Sequence, residues 1–338
     1  VVPLDIRSSA VVAGTPEVGP NVYLAQGAVV RAHGPGAVVL HTGVSVLENS
    51  VLVGTAELPL RVGRKTFFGH RCLALGAQLG DLCEVGNAAI LLPGARVGSR
   101  CFLGEGALVP PGTVIPDGSV AVGRPARVIR RATEADMDRL RALREGNLDL
   151  GPSPTSLLSA TALAGVKMGT LYAYRGKAPT VHPTAVLFDS CEVTGDVVVG
   201  EGCILGAGVR VVGDSHGPVR LGARVQVLEN AVLHLLPDNT LLLEDDVVVG
   251  PGATVHGCHV GAGTVIEPGA ILCDGARLGR GCLVRAGAVV KQRDAHPDGS
   301  ILEGSPARRV GTLPPGGPGL PPWALSLDAL ATLTRVER

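Results

Sequence analysis

The 338-residue sequence predicts an all-β protein made of two parallel β-helix domains, each followed by a C-terminal α-helix. Three observations carry this prediction. An aliphatic residue recurs every six positions, the whole pattern occurs twice, and the composition suits short strands and turns. Hydrophobic residues make up 46% of the chain and aromatics only 2%, beside 48 Gly and 25 Pro. Any core must therefore be built from Val, Leu, Ile and Ala between turn residues.

The short period is clearest in the first half, where Val85, Leu91, Val97, Leu103, Val109 and Ile115 stand six apart. Ile266, Leu272, Leu278, Val284 and Val290 repeat it in the second half. An amphipathic helix would space apolar residues by three and four, and a half-buried strand by two. A period of six fits a coil of short strands, each sending one aliphatic side chain inward before a tight turn. Gly and Asn at the corners supply the positive φ such turns need. Stacked coils of this kind bury a continuous aliphatic column with little room for aromatic rings.

The longer repeat is a duplication. VLENSVLVG, ending at Gly54, matches VLENAVLHL, ending at Leu235, and one offset of 181 residues carries Glu48 onto Glu229 and Cys101 onto Cys282. The same offset carries Gly123-Arg-Pro-Ala onto Gly304-Ser-Pro-Ala. The expected organisation is a first β-helix over 1–131, a helix over 132–145, a linker over 146–170, a second β-helix over 171–312 and a C-terminal helical segment over 313–338. Thr133 offers an N-cap to a helix with acids in its first turn, Met137, Leu140 and Leu143 on one face, and arginines near its end. Ser326 caps a shorter segment carrying Leu327, Leu330 and Leu333. The linker contains GPSP and little periodicity.

Thirty basic and thirty acidic residues balance, and there is no basic run or basic-aromatic patch, which argues against nucleic-acid or anionic-membrane surfaces. The eight cysteines are scattered without a CxxC pair and are expected to be free, buried thiols. No stretch is apolar for the length of a membrane span, and the N-terminus lacks the basic-then-apolar layout of a secretory signal. The expected localisation is cytoplasmic.

Several segments resemble the γ-class carbonic anhydrase-like branch of the left-handed β-helix hexapeptide proteins. YRGKAPTVHPTAV looks like that branch's opening segment, GARVQVLENAVLH like its strand carrying the first metal histidine, and VVGPGATVHGCHVG like its two-histidine turn. GRPARVI and GSPARRV resemble its closing motif. The resemblance covers nearly all of both copies, and it alone implies the left hand of the coil.

The resemblance further implies zinc held by three histidines where two prisms meet, two from one and one from its neighbour. Carried onto this chain, the first position is Val53 in copy one and His234 in copy two. The second is His70 and Pro251, and the third is Leu75 and His256. Neither copy completes a site with itself, yet His234 and His256 together with His70 make up the implied set. Three neutral imidazoles with an open fourth position form a catalytic zinc site; iron(II) or cobalt(II) would suit the same ligands. The opposite interface of a mixed ring would offer Val53, Leu75 and Pro251 and stay metal-free.

A second implied pair is split in the same way. The family's Arg-Gly-Asp stretch bridges neighbouring prisms, and copy one keeps Arg31 while copy two keeps Asp214, an interface salt bridge suited to orienting domains. Where the family has Gln-Asp beside the metal, this chain has Leu47-Glu48 and Leu228-Glu229, so Glu48 and Glu229 are the candidate catalytic carboxylates. The remaining histidines (His33, His41, His182, His216, His259, His296) read as surface or turn residues.

The implied function is reversible hydration of carbon dioxide to bicarbonate by a zinc-dependent homo-oligomer with contacts between first and second domains, alone or within a larger protein complex. Two alternatives stand beside it. One is a non-catalytic scaffold or assembly subunit. The other is a hexapeptide acyltransferase with a histidine base, disfavoured because no long excursion loop interrupts the coils.

Overall fold

A computed structural model describes residues 5–158, 161–162, 169–214 and 217–335; His216 lies outside the described residues. The chain divides into two compact units. The first comprises Val1–Leu163 with Thr332–Arg338, the second Ala164–Ala331.

Each unit is a three-sided parallel β-helix. In the first, one sheet stacks Asp5–Ile6, Tyr23–Leu24, Ser45–Val46, Phe67–Phe68, Glu84–Val85, Phe102–Leu103 and Ser119–Gly123. A second stacks Val11–Gly14 up to Leu108–Val109, and the third Glu17–Val18 up to Val114–Ile115. The second unit repeats the plan, its three sheets beginning at Thr170–Tyr172, Thr180–Val181 and Val186–Leu187. Within each sheet the main ladder is parallel, so equivalent residues of successive coils lie directly over one another.

The six-residue period is the core. Val85, Leu91, Val97, Leu103, Val109 and Ile115 are buried in one apolar cluster, and Ile266, Leu272, Leu278, Val284 and Val290 in the other. Corners take positive φ, at Asn49 (59°) and its duplicate Asn230 (57°) as expected, but also at Lys65, Arg71, Leu82 and Ala88. Pairing on both sides of the corner holds these residues in a region that costs any residue but Gly or Asn about 1 kcal/mol or more. Gly54 cannot be replaced so readily, because a Cβ there would lie 2.0 Å from the Ala37 carbonyl oxygen.

Each prism closes with an antiparallel hairpin, Ser119–Gly123 with Ala126–Arg131 and Ser300–Glu303 with Arg308–Thr312. The first is followed by the helix Glu134–Leu143, which Thr133 caps through a reciprocal bond with Asp136. Leu140 is buried, but Leu143 is exposed. Arg144 makes the contact in its place, 2.5 Å from Glu84 and over the Phe67 ring at 5.5 Å. The second helix, Leu327–Thr332, has a single turn or so, with Ser326 Oγ accepting from the Ala329 amide at 2.9 Å. Leu330 and Leu333 are buried, whereas Leu327 is exposed.

Two connecting segments add strands that periodicity does not reveal. Ser156–Leu157 pairs antiparallel with Glu17–Val18. Thr334–Arg335 lies between Val11–Gly14 and Thr161–Ala162, so the end of the chain returns to the first unit. An open sheet edge accepts any backbone that satisfies its donors and acceptors, and such pairing needs no alternating side chains. All eight cysteines are free, and seven are buried. Among the described residues, no helix is long and apolar enough to cross a membrane.

Candidate metal centre

One strand register brings two of the expected ligands together. In the second unit, Val232–His234 and Thr254–His256 are neighbouring strands, and His234 is paired in register with His256. Alternation along each strand turns Leu233 and Val255 into the core and both imidazoles outward. His234 Nδ1 lies 3.0 Å from His256 Nε2, with the rings edge to face.

A carboxylate holds the other nitrogen of each ring. Asp214 Oδ2 lies 3.2 Å from His234 Nε2, and Asp274 Oδ2 accepts from His256 Nδ1. Asp274 is itself oriented by the Leu236 amide and the Asn239 side chain, each at 3.1 Å from its Oδ1. Burial pushes the Asp274 carboxyl up, but the Leu236 amide, His256 and Asn239 outweigh it and leave it below the usual carboxylate range. With Nε2–H of His234 and Nδ1–H of His256 committed to carboxylates, the two nitrogens facing each other both carry lone pairs in the neutral rings. Two lone pairs at 3.0 Å repel each other unless a proton or a metal cation lies between them. Nitrogens bound to one tetrahedral zinc at about 2.0–2.1 Å stand roughly 3.3 Å apart, close to the separation seen here. The residues therefore fit a metal, and they do so with the outer partners that histidine ligands normally have.

His70 sits in the first unit, two residues past Phe67–Phe68 on a corner of the prism, with its side chain 53% exposed. Its Nδ1 is 2.8 Å from Asn87 Oδ1, and its Nε2 is 3.1 Å from Glu48 Oε2. The positions that duplicate His234 and His256 are Val53 and Leu75, both buried. Pro251 duplicates His70 and is likewise buried. Among the described residues no three His, Cys, Asp or Glu side chains converge as a metal group; each unit holds a part of the expected set.

The other expected residues are distributed as follows. Asp214 lies 3.2 Å from His234, and Arg31 is buried. Glu229 is buried and Leu228 beside it fully so. Glu48 is half exposed and faces His70. Two residues that sequence reasoning missed are Asn87 and Asp274, which orient His70 and His256. Their signal was available, since each lies one coil further along, 17 and 18 residues beyond its histidine. Of the histidines expected on the surface or in turns, His41 bonds Ser153 at 3.0 Å, and His259 lies on a strand with Glu244 at 2.8 Å.

Comparison with known proteins adds the ancestry. Residues 257–292 match the family described as bacterial transferase hexapeptide (six repeats), and residues 59–92 the hexapeptide repeat of succinyl-transferase. The carnitine operon protein CaiE of Escherichia coli is 32% identical over 139 residues, spanning 41% of this chain and 70% of CaiE. Gamma carbonic anhydrase 1, mitochondrial, of Arabidopsis thaliana is 34% identical over 138 residues, 39% of this chain and 50% of that one. A solved structure titled as a putative acetyltransferase of Bacillus cereus is 35% identical and covers 44% of this chain and 85% of its own, with a TM-score of 0.42. The chain belongs to the hexapeptide-repeat, left-handed β-helix family related to the γ-class carbonic anhydrases.

Proposed function

We propose that this protein is a zinc-binding, γ-carbonic anhydrase-like enzyme whose metal is held by His234 and His256 of a second unit and His70 of a first unit, brought together in a homo-oligomer. Reversible hydration of carbon dioxide to bicarbonate is the reaction such a site serves. The observation that carries the reading is the pair of facing imidazole nitrogens 3.0 Å apart, with the other nitrogen of each ring against a carboxylate.

Bound zinc would supply a Lewis acid that makes water nucleophilic near neutral pH. The chain's own residues prepare for it. Asp274 keeps a proton at His256 Nδ1, Asp214 keeps one at His234 Nε2, and Asn87 keeps one at His70 Nδ1, so that three lone pairs are presented outward. Leu228 is buried and Leu47 half-buried at the positions where the family places a polar side chain. That substitution favours the second reading, a scaffold whose metal site has lost its turnover.

Elemental analysis of purified protein tests the proposal. Zinc is expected in the wild type and absent from both His70→Ala and His256→Ala, with carbon dioxide hydration in a stopped-flow indicator assay lost in parallel. A metal-free wild type, or zinc retained by both variants, would overturn the composite site; zinc without hydration would leave the scaffold.

A further inference from the structure

The corner of the first unit that carries His70 is polar from coil to coil. Register stacks Gln26, Glu48, His70, Asn87 and Glu105, each two residues past Leu24, Val46, Phe68, Val85 and Leu103. The duplicated corner reads Ala207, Glu229, Pro251, Pro268 and Ala286. In that duplicate Glu229 is the one carboxylate and it is buried, with no histidine beside it.

Asn87 fixes the orientation of the ring. Its Oδ1 accepts from the His70 backbone N–H at 2.7 Å, so the amide oxygen must face the histidine, and the same oxygen takes the Nδ1–H at 2.8 Å. In the neutral ring the lone pair is then on Nε2. Facing it at 3.1 Å is Glu48 Oε2, another acceptor. The Glu48 side chain is 40% exposed as a whole, yet this oxygen is enclosed and makes no hydrogen bond. Two ligands of one tetrahedral zinc, an imidazole nitrogen at about 2.0–2.1 Å and a carboxylate oxygen at about 2.0–2.2 Å, lie roughly 3.3 Å apart without pointing at each other.

We propose that Glu48 is a protein ligand of the metal beside His70 and occupies the coordination position that water would otherwise take. The inference rests on the metal-binding reading above and deepens it. With His70, His234 and His256, Glu48 makes four ligands, the closed set of a structural site. The carboxylate must then leave the metal before water can bind, which makes it an internal inhibitor of hydration. A position filled by a protein oxygen has no bound water to orient, so Leu47 beside it forfeits nothing.

Cobalt(II) added to the full chain, followed by sodium thiocyanate, tests the assignment by visible absorption. Wild-type cobalt bands are expected to ignore thiocyanate. Glu48→Ala and Glu48→Gln are expected to bind cobalt at least about tenfold more weakly, and their bands to shift as the anion enters the vacated position. Using both variants, each checked for native circular dichroism, separates loss of the ligand from loss of the fold. Wild-type bands that shift as readily as those of Glu48→Ala would overturn the ligand role and leave the metal reading intact. A wild type that binds no cobalt, or a His70→Ala variant that binds it equally well, would overturn both.

Discussion

Replacing Asp274 separates the framework of the candidate metal centre from its ligands. Its two oxygens serve different donors: Oδ2 takes the His256 Nδ1–H, and Oδ1 takes the Leu236 amide and the Asn239 side chain. Asp274→Ala removes all three acceptor contacts and frees His256 to rotate or change tautomer. Losing such an outer partner costs about 10–100-fold in metal affinity, or about 1.4–2.7 kcal/mol. Asp274→Asn should fall at the lower end of that range, because an amide has one acceptor oxygen where the carboxylate has two. Zinc affinity from chelator competition is the assay, with thermal unfolding of the metal-free proteins as the control for the Leu236 turn. Unchanged zinc affinity in Asp274→Ala, with His256→Ala abolishing binding, would refute the idea that Asp274 sets the tautomer of His256.

Three further outcomes follow from the packing and the charges. Gln226 is buried and bonded on both sides of its amide to the Leu325 backbone; Gln226→Ala should cost roughly 2 kcal/mol in urea unfolding and expose the segment around Trp323 to limited proteolysis. Burial raises the Cys72 and Cys191 thiols to about 12 and Cys203 to about 11. At pH 8 only ~1 in 10⁴ of the first two would be ionised, so native labelling by iodoacetamide, read by mass spectrometry, should be far slower than labelling in denaturant. Arg130, with the Thr133 amide and hydroxyl, holds the Asp136 carboxyl well below the usual range. Because the folded value is depressed, the cap's contribution is fully present above the ordinary carboxylate range and is lost only as pH falls through the folded value. An NMR titration of Asp136 that gave an ordinary value would contradict this.

The architecture was legible because it is local and repetitive. One aliphatic residue per six, from Val85 to Ile115 and from Ile266 to Val290, reports the inward-facing position of every short strand, and a constant offset reports the duplication. The helix after the first prism was legible for the same reason, since Thr133 and Asp136 stand three apart and cap it through near neighbours. Leu143 was not, because its burial depended on whether Arg144 or Leu143 met the prism, and the Glu84 carboxylate and Phe67 ring favoured the arginine.

The strands at 156–157 and 334–335 were invisible for a different reason. They are held by backbone pairing to an existing edge, which leaves no mark in side-chain pattern.

The amino-acid order by itself determined the coil, the duplication and the unequal survival of His70, His234 and His256, because each is a matter of residue type at a fixed spacing. Which nitrogen of each imidazole faces a neighbouring side chain was decided only by the tertiary structure. It depends on Asp214, Asp274 and Asn87, residues of neighbouring coils that stacking brings within hydrogen-bond reach. The same stacking set Glu48 against His70, a relation created by the distance between two rungs of a ladder and not by anything in either residue's own stretch of chain.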